Sequence, residues 1–589
     1  MEFIAHNLAP IMFAGLICFL LVGFPVAFSL GACGLFFAFI GIELNVLPEA
    51  LLQALPLRIY GIMQNDTLLA IPFFTLMGLI LERSGMAEDL LDTIGQLFGP
   101  IRGGLALAVI FVGALLAATT GVVAASVISM GLISLPIMLR YGYDRRLAAG
   151  VIAASGTLAQ IIPPSLVLII IADQLGRSVG DMYKGAFLPG LMLTGFYASY
   201  VILLAVIKPQ WVPALPPEAR TLREDNGKSG VPSLLVLTAI CTAASIYVAK
   251  NMPALHTWWS GEAVDKVALD ETIVVSMCFG VALAFVAASF NKITRLGLLS
   301  RAAERVTFAL IPPLLLIFLV LGTIFLGVAT PTEGGAMGAL GAIIMAVIRG
   351  RLSMSLLKQA LNTTTKLSCF VVFILVGATI FGLTFQGVDG PLWVEHLLSG
   401  LPGGQLGFLI VVNIMVFFLA FFLDFFELSF IVVPLLAPVA DKLGIDLIWF
   451  GVLLAINMQT SFMHPPFGFA LFYLRSVAPA KEYMDKVTKK MIAPVTTTQI
   501  YWGAIPFLCI QILMVALVIT FPGIVSSGLD KAEVYDLDKV RLEMEANMPA
   551  SMDQADPTAG MPGSEAPAAE DDPLKAMQES LSQDAEKKN

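Results

Sequence analysis

Two stretches of this chain carry the same punctuation at the same spacing. Pro136, Gly142, Asp144, Pro163 and Pro164 recur 302 positions later as Pro438, Gly444, Asp446, Pro465 and Pro466. A lone Pro-Pro constrains little, and Pro216-Pro217 and Pro312-Pro313 also occur. Five matches at one offset, in equally apolar surroundings, define a repeat running through residues 131–166 and 433–468. Proline removes an amide hydrogen and clashes with the preceding turn, so a helix carrying Pro-Pro in this setting is expected to unwind.

The setting is lipid. A mean hydropathy of +0.86, 58% hydrophobic residues and 13% charged residues exclude a soluble domain. Apolar runs of roughly 18 or more residues read as spanning helices, because backbone polar groups must be satisfied inside the bilayer. No basic region with a cleavage site precedes Ile11–Leu21, so this run is expected to begin the first span. The six cysteines (18, 33, 241, 278, 369, 509) sit in apolar runs without CxxC spacing and read as small packing residues. The net charge of −9 is confined to the end of the chain, where 15 acids and 6 bases follow from Asp530 onward. Residues 524–589 are expected to be an acidic, disordered tail.

The pattern predicts an all-α polytopic membrane protein with about 12 transmembrane helices. They fall near 8–22, 25–42, 66–82, 147–172, 185–207, 231–250, 269–289, 308–328, 333–348, 367–387, 447–474 and 499–521. Two further stretches, 103–139 and 405–440, are too long for one helix and lack a polar loop in the middle. Each is expected to be a re-entrant hairpin. With both returning to their own side, 22 loop bases fall on one face and 6 on the other, which makes the first face cytoplasmic and puts both termini outside. The halves correspond further: Gln53-Ala54-Leu55 matches Gln359-Ala360-Leu361, and Gly103-Gly104 matches Gly403-Gly404. Seven crossings then separate their starting points, so the repeats are expected to be inverted. The expected division is 1–230 for the first repeat, 231–305 for two linking spans and 306–523 for the second repeat. Pro-interrupted segments in both halves of a membrane protein point to a transporter's binding site.

The first hairpin turn contains Thr119, Thr120, Gly121 and Ser126, and the broken helix contains Gly156, Thr157, Ala159, Gln160, Ile162, Pro164 and Ser165. Freed carbonyls and hydroxyls suit a small hard cation such as sodium, and exposed helix N-termini suit a carboxylate. A purely structural kink is the alternative. The second copy is richer, with Asp424 and Glu427 at the turn and Asn457, Gln459, Thr460, Ser461, His464 and Pro466 along the break. Carboxylates in an apolar run need a partner, so Asp424 reads either as an ion-binding group or as a helix cap. For Glu427 the cap is the simpler reading. His464 could touch substrate or serve packing alone.

Enzymatic signatures are missing: no HExxH, no GxSxG, and no Walker A motif, since Leu222 stands where Gly227-Lys228-Ser229 would need a glycine. No cofactor is expected. The bases are spread over many short loops, which fits topology and not nucleic-acid binding.

Several signatures together carry a resemblance. They are Gly23-Phe-Pro25-Val-Ala, Pro72-Phe-Phe, Gly103-Gly104-Leu-Ala, Leu135-Pro136 with Gly142-Tyr143, Ile162-Pro163-Pro164-Ser165, Pro189-Gly190, Thr330-Pro331-Thr332-Glu333 and Pro465-Pro466-Phe467-Gly468. From about residue 8 to 523 the chain resembles the large permease subunit of tripartite ATP-independent periplasmic (TRAP) transporters. The resemblance implies a sodium-coupled importer of small organic acids in the bacterial inner membrane, working by an elevator motion. It implies two partners, a small four-helix membrane subunit and a periplasmic substrate-binding protein. With nothing preceding Met1, the small subunit is expected to be a separate polypeptide. The family's sodium sites map onto Thr120, Gly121, Ala159, Ile162 and Pro164, then Asp424, Thr460 and Pro466. The other named residues of the two segments would line the substrate site. Two departures stand out. The first turn, often Ser-Gly-Ser, is Thr120-Gly121-Val122 here, and the acidic tail is not a family feature. The Leu-Asp-Phe-Phe-Glu turn resembles the branch handling keto or hydroxy acids. Proton coupling through Asp424 and Glu427, or a non-transporting scaffold or channel, are the competing expectations.

Overall fold

A computed structural model describes residues 3, 6–222, 224, 230–261, 267, 269–295, 297–485, 487–527 and 529. The tail expected beyond Asp530 and the loop bases Arg223, Lys228, Lys266 and Lys486 lie outside the described residues. The chain opens with α1 (Leu8–Leu21), α2 (Val26–Glu43), α3 (Leu55–Met63), α4 (Ala70–Arg83) and α5 (Met86–Phe98). The first long apolar stretch then forms α6 (Gly104–Thr120) and α7 (Val123–Arg140). Next come α8 (Arg145–Thr157), α9 (Leu166–Gln174) and α10 (Val179–Ile207), followed by α11 (Val231–Lys250), α12 (Met252–Ser260) and α13 (Leu269–Thr294). The second half runs α14 (Arg301–Phe325), α15 (Pro331–Ile348), α16 (Met354–Gly387) and α17 (Gly390–Ser399). Its own long stretch gives α18 (Gly404–Leu419) and α19 (Phe425–Lys442), then α20 (Leu447–Met458), α21 (Phe469–Val477), α22 (Thr497–Thr520) and α23 (Gly523–Ser526).

The repeated punctuation has a local job at each position. Gly142 (φ +80°) and Gly444 (φ +70°) sit just past α7 and α19, in the left-handed conformation that ends helices. Two residues later, Asp144 and Asp446 cap the next helix. The Asp144 carboxylate accepts from the N–H groups of Arg146 (2.9 Å) and Leu147 (3.2 Å), and Asp446 accepts from Trp449 (2.7 Å). Pro136 and Pro438 stay inside α7 and α19. Both Pro-Pro pairs fall where the following helix stops, and both of their bonds are cis. Shifting α7 by 302 positions reproduces the bounds of α19.

Both expected hairpins turn back on themselves. Gly103 donates to the carbonyl of Val212 and Asp144 to that of Trp211, each at 3.0 Å, so the two ends of the first hairpin lie side by side. Leu105 N–H also donates to the Tyr143 hydroxyl at 3.2 Å. In the second, the Gln405 amide donates to the Leu443 carbonyl at 2.6 Å. A segment whose ends meet this way returns to the side from which it came.

Packing between the halves is reciprocal. α7 packs on α21 and α19 on α9; α8 packs on α22 and α20 on α10; α2 packs on α16 and α4 on α15. Each contact thus has a partner with the halves exchanged. α11 and α13 pack on each other and on α14.

Several expectations differ from the structure. Among the described residues nine helices are long and apolar enough to cross a membrane, α7 of the first hairpin among them, or eleven if two bent pairs, one of them α17 with α18, each count as one, against the twelve expected outside the hairpins. The broken segments account for part of this, being 13 plus 9 residues and 12 plus 9 residues in place of 147–172 and 447–474. The stretch before residue 66 is a short 3-10 turn and α3, bent by 48° from the helix that follows. There Asn65 accepts from Thr67 N–H and starts a new helix, whereas Cys369-Phe370-Val371 offers no capping side chain and α16 runs on for 34 residues. The fold is not purely helical, because Tyr483–Met484 pairs with Met491–Ile492 in an antiparallel ladder. Arg140 at the end of α7 meets Asp485 of this ladder at 3.0 Å. The folded body also extends past 523: Val525 of α23 is fully buried, packed toward Gly185 of α10.

Pro312-Pro313, unlike the other two apolar Pro-Pro pairs, sits inside a continuous α14. Pro312 cannot donate to the Phe308 carbonyl, and the Arg349 guanidinium does so instead at 2.8 Å. Arg349 and Arg351 both pair with Asp89 of α5, at 3.2 and 2.9 Å. Arg349→Ala is therefore expected to cost about 1–3 kcal/mol by stranding the carbonyl and weakening the hold on Asp89. Pro312→Ala restores a helical donor and should reduce that cost. Thermal unfolding of the four purified variants measures the coupling, and equal costs in both backgrounds would exclude it. A second test concerns hairpin packing. A Cβ on Gly156 would lie 2.4 Å from Val127 Cγ2, so Gly156→Ala should destabilise by about 1–3 kcal/mol. Gly195→Ala, with nothing within 4 Å, should be neutral or stabilising in the same melts.

Candidate functional site

In the first half, α8 ends at Thr157 and a 3-10 turn, Leu158–Gln160, precedes the Pro-Pro pair. Neither Pro163 nor Pro164 can donate to the helix-type acceptors four residues back, the carbonyls of Ala159 and Gln160. Ser165 answers part of this: its hydroxyl donates to the Gln160 carbonyl and its oxygen accepts from Leu168 N–H at the start of α9. Tyr183 of α10 donates to the Ser165 carbonyl at 3.3 Å. The hairpin turn arrives at the same place. Gly121 (φ +58°) ends α6, and a Cβ there would lie 3.1 Å from Leu166 Cγ. Thr119 and Thr120 form the last turn of α6, with side chains outside the described part of the structure. Ser126 is buried in the first turn of α7. Gly156 serves close approach, letting α7 press on α8 at Val127. Ala159 and Ile162 are buried within the break.

The second half repeats the plan with different chemistry. The break follows α20 as a 3-10 turn over Gln459–Phe462. Thr460 and Ser461 hydroxyls donate to the carbonyls of Asn457 and Met458, each at 2.6 Å, which leaves their oxygen lone pairs to accept. The Asn457 amide donates to the Asn413 carbonyl of α18 at 2.7 Å, tying break to hairpin. Phe421 and Phe422 meet Phe467, with centroids 5.8 and 6.1 Å apart, and Phe425 meets Phe462 at 6.0 Å. The second turn therefore rests on the second break through aromatic rings. His464 belongs to that packing: it is 1% exposed and stacked on Phe421 at 4.0 Å. Tyr501 donates to the Pro466 carbonyl at 3.4 Å, much as Tyr183 does in the first half.

Asp424 and Glu427 form a reciprocal cap on α19. Asp424 accepts from Glu427 N–H at 3.0 Å, and Glu427 accepts from Asp424 N–H at 2.9 Å. Each carboxylate keeps further lone pairs, so the cap leaves an ion role open to both.

The two breaks touch at equivalent residues. The Gln459 amide donates to the Thr157 hydroxyl at 3.3 Å, across 302 positions of sequence. Gln511 of α22 donates to the same hydroxyl (3.4 Å) and to the Tyr197 hydroxyl of α10 (2.9 Å). Both polar side-chain atoms of Gln160 are buried without a hydrogen-bond partner among the described residues, as are the amide oxygens of Gln459 and Gln511. The sequence reading missed Gln511, Tyr197, Tyr183 and Asn413. A lone amide inside the apolar run 499–521 was the available signal for Gln511.

Four helix N-termini, those of α7, α9, α19 and α21, thus lie at two turn-and-break junctions lined by carbonyls, hydroxyls and amides. Such a set offers hard oxygen ligands to a cation and positive dipole ends to an anion. No group of three His, Cys, Asp or Glu that could hold a metal occurs among the described residues. A cavity of about 400 Å³ opens elsewhere, where Asp173, Arg177 and Ser178 face Ile324 and Ala329, and it includes no residue of either break. Asn65 donates to Asp173 beside it at 2.8 Å.

Residues 13–264 and 266–524 match the family described as "Tripartite ATP-independent periplasmic transporter, DctM component". The C4-dicarboxylate TRAP transporter large permease protein DctM of Rhodobacter capsulatus is 27% identical, over 79% of this chain and 89% of that protein. The protein of the same name from Pseudomonas aeruginosa is 26% identical, over 72% of this chain and 81% of its own length. The isethionate TRAP transporter permease protein DctMQ of Oleidesulfovibrio alaskensis is 26% identical over 82% of this chain, which spans 63% of that longer protein. Among solved structures, the Alcanivorax borkumensis YdaH transporter aligns with a TM-score of 0.48 at 13% identity, covering 81% of this chain and 90% of that one. The chain belongs to the DctM component family of tripartite ATP-independent periplasmic transporters, as a multi-pass membrane permease subunit and not an enzyme.

Proposed function

We propose that this subunit imports a small organic acid, a carboxylate, by secondary transport with sodium. The observation that carries the reading is the convergence of each hairpin turn on a broken helix, with the two breaks joined through Thr157 and Gln459. Broken backbone at membrane depth must be buried or line a cavity, and residues 158–165 and 459–464 are buried. Sodium would take oxygens from Thr120, Gly121, Ala159, Ile162 and Pro164 in one half and from Asp424, Thr460 and Pro466 in the other. The substrate carboxylate would lie between them, near Thr119, Ser126, Gly156, Thr157, Gln160 and Ser165 and near Glu427, Asn457, Gln459, Ser461 and His464. The partnerless Gln160 amide supports that placement, because a buried amide without hydrogen bonds is costly. Val122 replaces a hydroxyl at the first turn, so only its carbonyl could serve there.

Reciprocal packing of the halves supports a two-fold relation, and the 22-to-6 division of loop bases supports its inversion. In this reading the first hairpin opens from the cytoplasm, the second from the periplasm, and both termini are periplasmic. The bacterial inner membrane is the setting. Hairpins and broken helices would slide as a body within a scaffold, with a separate small four-helix membrane subunit and a periplasmic binding protein that delivers substrate. Of the three relatives compared above, two are named for C4-dicarboxylates and one for isethionate, all organic acids.

The test is uptake by the reconstituted complex in proteoliposomes, after melting shifts on the binding protein have identified its ligand. Accumulation is expected only with both an inward sodium gradient and the loaded binding protein. Sodium-independent uptake with a steep pH dependence, lost in Asp424→Asn, would establish proton coupling instead. Flux without gradient or binding protein would make the protein a channel. A point substitution sharpens the sodium claim. Gly121→Ala places an alanine in the left-handed region at a cost of about 1–2 kcal/mol, and should raise the sodium half-saturation concentration about tenfold. An unchanged sodium dependence in a folded Gly121→Ala complex would remove the first turn from the ion site.

A further inference from the structure

Four buried side chains from four elements form one hydrogen-bonded chain between the two breaks. Thr157 ends α8, Gln459 opens the second break, Gln511 lies in α22 and Tyr197 in α10. All four are 0% exposed. The Thr157 hydroxyl donates to the Ala154 carbonyl at 2.9 Å and accepts the amide hydrogens of Gln459 and Gln511. A hydroxyl has one proton and two lone pairs, so its capacity is filled. Gln511 has two amide hydrogens, and both are used, one on Thr157 and one on Tyr197. Nothing in this chain can rotate freely without breaking a buried bond, which in a low-dielectric interior is costly.

Its position gives the chain a consequence. Thr157 immediately precedes the turn carrying Ala159 and Ile162, and Gln459 immediately precedes Thr460. A cation drawing in the carbonyls of one break must shift the residue that anchors it, and that residue is bonded to its equivalent in the other break. Gln511 and Tyr197 hold the joint from outside both segments. We propose that Gln511 and Tyr197 are positioning residues that couple the ion sites of the two halves, making occupancy of one half favour occupancy of the other. The proposal rests on the sodium reading above. It adds that cooperativity between the halves runs through one side-chain cluster.

Coupling of this kind is a free energy between sites and must be measured as one. Tyr197→Phe deletes a single hydroxyl, and Gln511→Met keeps roughly the volume while removing the amide. Sodium is titrated against choline in two ways: thermal shift of the purified complex, and substrate uptake by proteoliposomes supplied with binding protein. Wild type should show a Hill coefficient above 1 for sodium. Each variant should bring it toward 1 and raise half-saturation about three- to tenfold, while the double variant does little more than either single one. Maximal uptake at saturating sodium should fall far less. Normal Hill coefficients in both variants, with only the melting temperature or maximal uptake lowered, would overturn the proposal and leave the cluster structural. Should Gln511→Met fail to fold, Tyr197→Phe alone decides. A wild-type complex that transports without sodium dependence would overturn the sodium reading itself, which this experiment registers separately.

Discussion

Lipid offers no hydrogen bonds, and from that constraint the rest of this architecture follows. A helix that stops inside a membrane protein exposes carbonyls on one side of the gap and amide hydrogens on the other. This chain does so twice, at residues 158–165 and 459–468. Each gap is closed by a hairpin that reaches it and returns, by a tyrosine from the following long helix, and by the opposite half. The hairpins are therefore the condition under which the breaks can exist. A fold with one broken helix would need a second protein surface to cover it. Two copies cover one another.

Much of this was legible in the sequence because it is written as punctuation. Gly142, Asp144, Pro163 and Pro164 each act within a few residues of themselves, as a helix end, a cap and a stop, so their recurrence marks recurring structure. The hairpins were legible through charge, since treating 103–139 as a crossing would have scattered the loop bases. What could not be read is what depends on distant partners. The Arg349 guanidinium that keeps α14 continuous through Pro312 acts from outside its own helix. The bend at Asn65 and the unbroken α16 differ by one capping side chain, which a hydropathy window does not weigh. Site residues followed the same rule. Local candidates along the turns and breaks were named, while Gln511 and Tyr197 sit in long apolar helices whose faces only the fold reveals.

The halves share a backbone plan and differ in chemistry. The first junction is made of glycine, threonine, serine and alanine, and its pieces meet by close approach, as at Gly113 against Ser155 and Gly156 against Val127. The second is made of phenylalanine rings, a stacked histidine and a pair of acids that cap each other. Small residues bring carbonyls near one another, which favours a compact hard ion. Aromatic rings fill space and orient by edge and face, with specific geometry as well as large buried area. Identical geometry is thus asked to present a polar oxygen cradle on one side and an apolar wall with one acidic corner on the other.

The bases of the two junctions are held in different ways. Gly99 and Gly103 on the hairpin's near side, and Asp144 on its far side, all bond to the segment 211–215 that follows α10. Hairpin, broken helix and α10 are thereby tied in a closed loop. The second hairpin is closed by Gln405 on Leu443, and Lys442 pairs with Glu395 of the preceding α17. In the first half the preceding α5 is tied elsewhere, through Asp89 to Arg349 and Arg351 and through Asp92 to Arg305. The first connecting helix thus forms its ion pairs with the α14–α16 side while packing on the hairpin helix that follows it, and the second forms its ion pair with its own hairpin. Sharp changes of direction mark both connections: Gly103 holds a left-handed turn at the entry to α6, where its N–H is bonded to Val212, and Asp389 holds one just before α17.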